Sequence, residues 1–483
     1  MITLHKRQKR IDNKYYIIGK MKKLGLFLGF ITLTLTSVAQ STEQTALTLT
    51  LEQALEIALS ENPTIKVAEQ EIEIKRYAKQ ETYSSLYPRF DATAQYQRVI
   101  EKQTMSMDFG GQTQSIKVGS DNSFNGGITA SMPIVNAQLW ESLKVSVADV
   151  VLAVEKARSS QIDMIEQVSQ AYFSVLLAKE SLVVYQRVYD NAVENNKNIK
   201  KRYEVGSVSE YDFISSNVSV QNAIPNVIEA QNSVVLTLWQ LKALLGIDLN
   251  KNIDVAGSLA DYEAQMNYAH TLEQLDLSNN STLKQLDIQE GMLESALKIT
   301  KLANVPTLSI NAAYLYTALG NDGKFFQGKA WNPYSYAGVQ LNIPIFAGNQ
   351  RRAATRQARL NLSALQLQRE NAERQLRVAV VNSLNNMQTN VKKFSAASAT
   401  VGQAQRGYDI AVKRYEVGRG TLVDIDNSQL ALTQAELSRN SAIYNFLTSK
   451  IALDKILGNH EVRSQHDYID RYNNMYERRY GDK

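Results

Sequence analysis

The hexapeptide Lys201-Arg202-Tyr203-Glu204-Val205-Gly206 returns as Lys413-Arg414-Tyr415-Glu416-Val417-Gly418, 212 residues further on. The echo continues at the same spacing. Ser216 matches Ser428, Ala223 matches Ala435, Ala230 matches Ala442, and Leu245-Gly246 matches Leu457-Gly458. A period this long exceeds any short solenoid repeat, so it marks duplication of a whole structural unit. The spacing predicts two similar halves, residues 40–246 and 268–458, joined by a linker at 247–267.

Proline placement sets the length of the elements. The seven prolines stand at 63, 88, 133, 225, 306, 333 and 344, leaving 134–224 and everything after 344 without one. Such stretches suit very long helices, which an interior proline would break or kink. Steps of three and four carry an apolar series through Val147, Val150, Val154, Ala157, Met164, Val168, Ala171, Val175 and Ala178, interrupted by Gln161. That is a narrow coiled-coil seam. A helix over about 137–203 would be ~100 Å long, and a second is expected over about 348–415. Shorter helices are expected over 51–87, interrupted at Asn62-Pro63, and over 272–305. Return helices should follow each hexapeptide, the first kinked at Pro225.

Four segments before the long helices alternate apolar and polar residues: 90–97, 124–132, 308–314 and 337–343. Strands of roughly ten residues with one apolar side are what the wall of an outer-membrane barrel requires. Each pair is joined by a Gly-, Ser- and Asn-rich stretch, 100–122 and 318–335, read as loops. Closure takes at least about eight strands, and an open sheet edge in lipid leaves backbone groups unpaired. Four strands per chain therefore imply an oligomer: two chains would supply eight strands, three would supply twelve. Tyr87, Tyr96, Tyr314, Tyr334 and Tyr336 are candidates for an aromatic belt at the lipid boundary.

The basic balance belongs to the first 39 residues, which hold eight Lys/Arg against Asp12. Of 53 basic and 48 acidic residues, 45 and 47 then remain. No clustered basic face is left to bind nucleic acid. Residues 1–39 read as a leader: an upstream extension, a positive segment at Met21-Lys22-Lys23, an apolar run to 36, and small residues at Ser37 and Ala39 before Gln40. The apolar run is short for a ~20-residue membrane span. There is no cysteine, so neither an acylated cysteine nor disulfides are available. The tail at 459–483 is polar and is expected to be disordered. The four histidines (5, 270, 460 and 466) make no metal-ligand spacing, and no P-loop, dinucleotide fingerprint or nucleophile elbow occurs. Neither an enzyme activity nor a cofactor is expected.

The paired Arg-Tyr-Glu-Val-Gly turns, the strand approaches at Tyr87-Pro88 and Val305-Pro306, and the exits at Met132-Pro133-Ile134 and Ile343-Pro344-Ile345 together resemble the TolC family of outer-membrane efflux proteins over nearly all of residues 47–458. The resemblance implies a mixed α and β fold: a long α-helical coiled-coil barrel forming a periplasmic tunnel, plus a transmembrane β-barrel. It implies a homotrimer whose twelve strands share one barrel in outer-membrane lipid. It also implies partners, a periplasmic adaptor (membrane fusion) protein and an inner-membrane pump, and places the turns at the tunnel's inner tip.

Gly206 and Gly418 read as helix stops. Ser209 with Asp212, and Thr421 with Asp424, read as capping boxes with Asp in place of Glu or Gln. In the resembling family acidic residues after the second turn ring the closed aperture. Asp424 fits the first such position. The second falls on Asn427, with Asp426 beside it, which departs from the two-aspartate pattern. A tyrosine, its acidic partner and an arginine hold the tip closed in that family; Tyr415 and Asp212 fit the first two, but the arginine position holds Gly420, with Arg419 adjacent. Three Asp424 carboxylates around one pore would favour cations. Val205, Gly206, Ser207, Val417, Gly418 and Arg419 are the expected adaptor-docking surface. The function implied is a passive efflux duct. The alternatives are the outer-membrane component of type I protein secretion, and an exported coiled-coil scaffold or adhesin with no pore.

Overall fold

The computed structural model describes residues 47–109, 112–266, 276–321 and 331–459. The expected leader and the tail beyond 459 lie outside the described residues, as do all four histidines and the expected start of a helix at 272. The chain divides into units 1–47 and 48–483, and the features below belong to the second, apart from Leu47 at the start of the first strand.

After a short strand, β1 (Leu47–Leu49), Thr50 starts α1 (Leu51–Glu61) with a capping box that uses Gln53. Asn62 ends α1 and caps α2 (Pro63–Ser84), accepting from Thr64 N at 2.7 Å. Pro63 stands in the first helical turn, where its missing N–H goes unneeded. Strands β2 (Arg89–Arg98), β3 (Gln103–Phe109), β4 (Gln112–Val118) and β5 (Asn122–Val135) lead to α3 (Ala137–Glu204) and α4 (Glu210–Leu245). The linker holds β6 (Ile253–Val255) and a 3-10 turn, Leu259–Met266. The second half repeats the plan with α5 (Ser281–Leu302), β7 (Thr307–Gly320), β8 (Trp331–Asn342), α6 (Gln350–Glu416) and α7 (Leu422–Leu457).

Helices α3 and α6 hold 68 and 67 residues, about 100 Å each. The seam read from spacing is the buried face of α3: Val150, Ala157, Met164, Val168, Val175 and Ala178 are all covered. Gln161, an interruption in the apolar series, is buried with them. Helix α4 runs unbroken from 210 to 245 with Pro225 inside it. The proline removes one N–H from the helical ladder, and the helix continues as one element across it. The stretch 100–122, expected to be a loop, contains the β3–β4 hairpin, with Met105 opposite Ile116 and Ser106 opposite Ser115. Its alternation is short and diluted by polar residues on both faces.

The main sheet has the order β2-β5-β7-β8, antiparallel throughout. Because side chains alternate and paired residues share a side, its register sorts every residue onto one of two faces. One face carries Phe90, Ala92, Tyr96, Ile128, Met132, Leu308, Ile310, Tyr314, Val339 and Leu341. The other carries Thr93, Gln95, Thr129, Ser131, Asn311 and Gln340, the last two joined at 3.1 Å. Of the tyrosines expected in an aromatic belt, Tyr96 and Tyr314 lie on the apolar face. Tyr334 and Tyr336 fall on the polar one, and Tyr87 precedes β2. Among the described residues, β2 and β8 each pair on one side only.

The largest core sits midway along α3, where α1, the C-terminal parts of α4 and α7, β6 and the 3-10 turn converge on Tyr172, Leu176, Leu245, Leu259, Phe446 and Leu453. Tyr172 is 1 % exposed; its hydroxyl donates to Ala256 O at 2.6 Å, with Leu49 O at 3.2 Å. The duplicated halves are fastened there by the same device. Asn62 Nδ2 donates to Leu244 O and Asn280 Nδ2 to Ile456 O, each at 2.7 Å. Each asparagine also caps the helix it precedes, so one side chain closes the end of a return helix and the start of an ascending one.

Candidate functional site

The tip is built from the two copies of the hexapeptide. Gly206 and Gly418 take φ of 70° and 72°, the left-handed region that glycine enters without a Cβ penalty. A Cβ at either would meet nothing within 4 Å, so backbone conformation alone requires glycine there. The turns close alike: Ser207 N donates to Arg202 O at 2.7 Å, and Arg419 N donates to Arg414 O at 2.8 Å. New helices start at once. Ser209 Oγ accepts from Asp212 N at 3.1 Å, and Thr421 Oγ1 accepts from Asp424 N at 3.2 Å. Both capping boxes are reciprocated by the aspartates.

A small core joins the two turns: Ile199, Ala411, Leu422 and Ile425, flanked by Val208, Phe213, Tyr408 and Tyr415. Tyr203 and Phe213 stack with centroids 5.2 Å apart and planes 6° from parallel. Tyr415 enters this core, and its hydroxyl is buried with no hydrogen-bond partner among the described residues. Burial raises its pKa, the Asp212 carboxylate raises it further, and Arg202 opposes both. Asp212 is thus an electrostatic neighbour of Tyr415, while its hydrogen bonds go to Ser209.

The arginine that reaches Tyr415 is Arg202, on the other copy. Its Nη1 donates to Tyr415 O at 3.3 Å, and the guanidinium lies 5.4 Å from the ring centroid. Arg419 is exposed and makes no ion pair among the described residues. A Cβ on Gly420 would stand 3.1 Å from Arg414 Cβ and from Tyr415 N, so the end of α6 crowds any side chain at 420. Sequence reasoning missed Arg202, although the signal was present as the second residue of the repeated hexapeptide. Its twin Arg414 turns instead to its own loop, donating to Arg419 O at 3.2 Å.

Asp424 is exposed. Hydrogen bonds from the backbone and the hydroxyl of Thr421, with help from Arg414, hold its pKa below the usual carboxylate value. Asn427, three residues on, shares its stripe of the helix and is also exposed. Asp426 points elsewhere: its Oδ2 accepts from Ser219 Oγ on α4 at 3.2 Å. It borders an open groove of about 1000 Å³ between α3, α4 and α7, lined by amides that include Asn191, Asn195, Asn222 and Gln429. The groove walls desolvate the carboxyl and raise its pKa, though its side chain remains exposed to the groove mouth. Higher up, Arg187 meets Glu436 at 2.5 Å and Asn191 meets Gln429 at 2.9 Å. The structure therefore keeps Asp424 with Asn427 and separates Asp426 from them. No described group of residues could hold a metal ion. No described helix is long and apolar enough to cross a membrane.

The arrangement presents charged and hydrogen-bonding side chains beside two exposed turns. The family described as "Outer membrane efflux protein" matches residues 54–247 and 272–459. Outer membrane protein TolC of Vibrio cholerae is 23% identical over 347 residues, covering 71% of this chain and 78% of that protein. Alkaline protease secretion protein AprF of Pseudomonas aeruginosa is 22% identical over 409 residues, covering 84% and 83%. Among solved structures, the CmeC outer membrane channel of Campylobacter jejuni superposes with a TM-score of 0.70 at 19% identity, covering 87% of this chain and 89% of that one. With both halves matched across the duplicated unit, the chain belongs to the outer membrane efflux protein family.

Proposed function

We propose that three copies of this chain close a shared twelve-stranded barrel in the outer membrane and act as a passive export duct, met at its periplasmic tip by an adaptor protein and an inner-membrane pump. One observation carries this reading: a four-stranded sheet with one mainly apolar face and, among the described residues, two unpaired edges. Such a sheet is stable in lipid only when other copies take up its edges. A soluble scaffold or adhesin would have no use for that face. Envelope fractionation followed by heating in detergent tests the assembly. Heat-modifiable trimers in the outer membrane support it; soluble monomers overturn it.

The docking surface for the adaptor is the pair of turns. Val205 and Val417 are 77% and 70% exposed at the very ends of the two coils, beside Gly206, Ser207, Gly418 and Arg419. Tryptophan at Gly206 and Gly418 should abolish export while trimers still assemble. Loss of assembly would make these glycines structural stops alone.

A second reading, export of a protein substrate, is favoured by the match to AprF over most of both chains. Deleting the gene separates the two. Sensitivity to small toxic compounds marks efflux, and loss of one secreted protein marks secretion.

A further inference from the structure

On the polar face of the sheet, one patch breaks the pattern. From Ala337 to Leu341 the apolar residues of β8 lie on the apolar face, but between 333 and 336 the polarity inverts. Pro333 and Ser335 take the apolar side, and Tyr334 and Tyr336 take the polar one. Tyr334 pairs with Leu315 and Tyr336 with Ala313, which is only 5% exposed. Leu315 pairs with Gly127, where an added Cβ would come 2.9 Å from Leu315 Cδ2 and 2.2 Å from Tyr314 O. A glycine is thus required beneath the leucine. The two tyrosine rings stand 5.8 Å apart, tilted by 45°, and remain 59% and 47% exposed.

The patch sits in the half of the sheet away from the helices. The helices leave the sheet at Arg89, Val135, Thr307 and Asn342, and the tyrosines lie in the half of β8 away from that rim, Tyr336 near its middle and Tyr334 beyond it. Below them the same face is lined by Thr129, Ser131, Asn311 and Gln340. Resting on the trimeric duct proposed above, in which the apolar face meets lipid, the polar face is the lumen wall. Pairing of β8 with a neighbouring copy would occupy its backbone edge and leave these rings facing the pore axis. An exposed aromatic pair in a water-filled lumen gains no lipid and no core; its flat apolar faces are open to a solute of the same shape.

We infer that Tyr334 and Tyr336, backed by Leu315, form a stacking site for planar aromatic solutes in the outer half of the lumen, repeated in each copy around the pore. The test is block of single-channel current in planar bilayers by ethidium, a planar aromatic cation, with tetraethylammonium as a non-aromatic cation of equal charge. The paired substitution Tyr334→Leu with Tyr336→Leu should weaken ethidium block roughly two- to tenfold and leave tetraethylammonium block unchanged. The paired Tyr→Phe variant, which keeps the ring faces, should retain ethidium block. Unaltered ethidium block in the leucine variant overturns the site while leaving the duct intact, as does equal weakening for both cations, which signals a change of bore alone. A wild-type protein that opens no channels overturns the duct and the site together.

Discussion

Arg202 and Tyr415 tie the two copies of the hexapeptide to each other: the guanidinium donates to the tyrosine's main-chain oxygen at 3.3 Å and lies 5.4 Å from its ring centroid. The residues are on different turns, 213 positions apart, so this contact exists only while the two coils are side by side at the tip. Separating the coils removes it, and it can therefore act as a latch.

The first prediction concerns that latch. A cation–π contact with a charge-assisted hydrogen bond is worth about 1 kcal/mol at a partly exposed site. Arg202→Ala should then shift the closed-to-open balance roughly fivefold toward open and raise mean conductance in bilayers. Arg202→Lys should fall between, because lysine keeps the charge and loses the planar stack. Unchanged conductance in Arg202→Ala would remove the latch role, and a matching rise in Arg419→Ala would return it to Arg419.

Asp424 should set ion preference. Its pKa is held below the usual value by Thr421 and Arg414, so the carboxylate stays charged down to mildly acidic pH and is neutralised only as pH falls through that lowered value. Asp424→Ala should reduce the preference for cations at neutral pH, and wild-type channels should lose it on strong acidification. Reversal potentials in asymmetric salt measure both. Asp426, raised by burial and turned toward Ser219, should have a smaller effect when replaced by Asn.

The paired asparagines give a stability prediction. Asn62→Ala and Asn280→Ala each remove a helix cap and a donor to the carbonyl of Leu244 or Ile456, at a cost of about 2 kcal/mol apiece. The two sites share no partner, so the double variant should lose the sum. Melting followed by helical circular dichroism in detergent reads this. Single variants that melt like wild type would show that water replaces both bonds.

Tyr172 predicts an alkaline transition. Burial raises its pKa from 10.0 to about 12. A folded pKa above the unfolded one means the stabilisation is fully present below pH 10 and is lost as pH rises toward 12. Two pKa units amount to about 3 kcal/mol. Tyr172→Phe should melt lower at neutral pH, by about 1 kcal/mol for the lost hydrogen bond to Ala256 O, and lose less on going from pH 10 to 12. Parallel alkaline curves would assign the transition to other groups.

Much of this fold is periodic, and periodicity is legible in a chain. The 212-residue echo announced two halves, the steps of three and four in Val150, Ala157, Met164 and Val168 announced α3, and the alternation in 124–132 announced β5. Each signal reports which side of one element is apolar, and that is a local property. The β3–β4 hairpin escaped because Met105 and Ile116 alternate over too few residues among serines and threonines.

The site was legible in outline only. Residue order alone gave two glycine stops with capping aspartates behind them, because a left-handed stop followed by an N-cap is local chemistry; their place at a tip came with the family resemblance. Tertiary structure decided that Arg202 and not Arg419 reaches Tyr415, that Asp426 turns to Ser219 while Asp424 faces water, and that Tyr334 and Tyr336 stand beside Leu315 and Ala313. The physical reason is shared by the first two. The hexapeptides are identical, so nothing within either says which will lend its arginine to the other. That depends on how two 100-Å coils are phased about each other, and on crowding at Gly420. For the tyrosines, alternation within β8 already sets them opposite Val339 and Leu341; only pairing with β7 decides that Leu315 and Ala313 lie beside them.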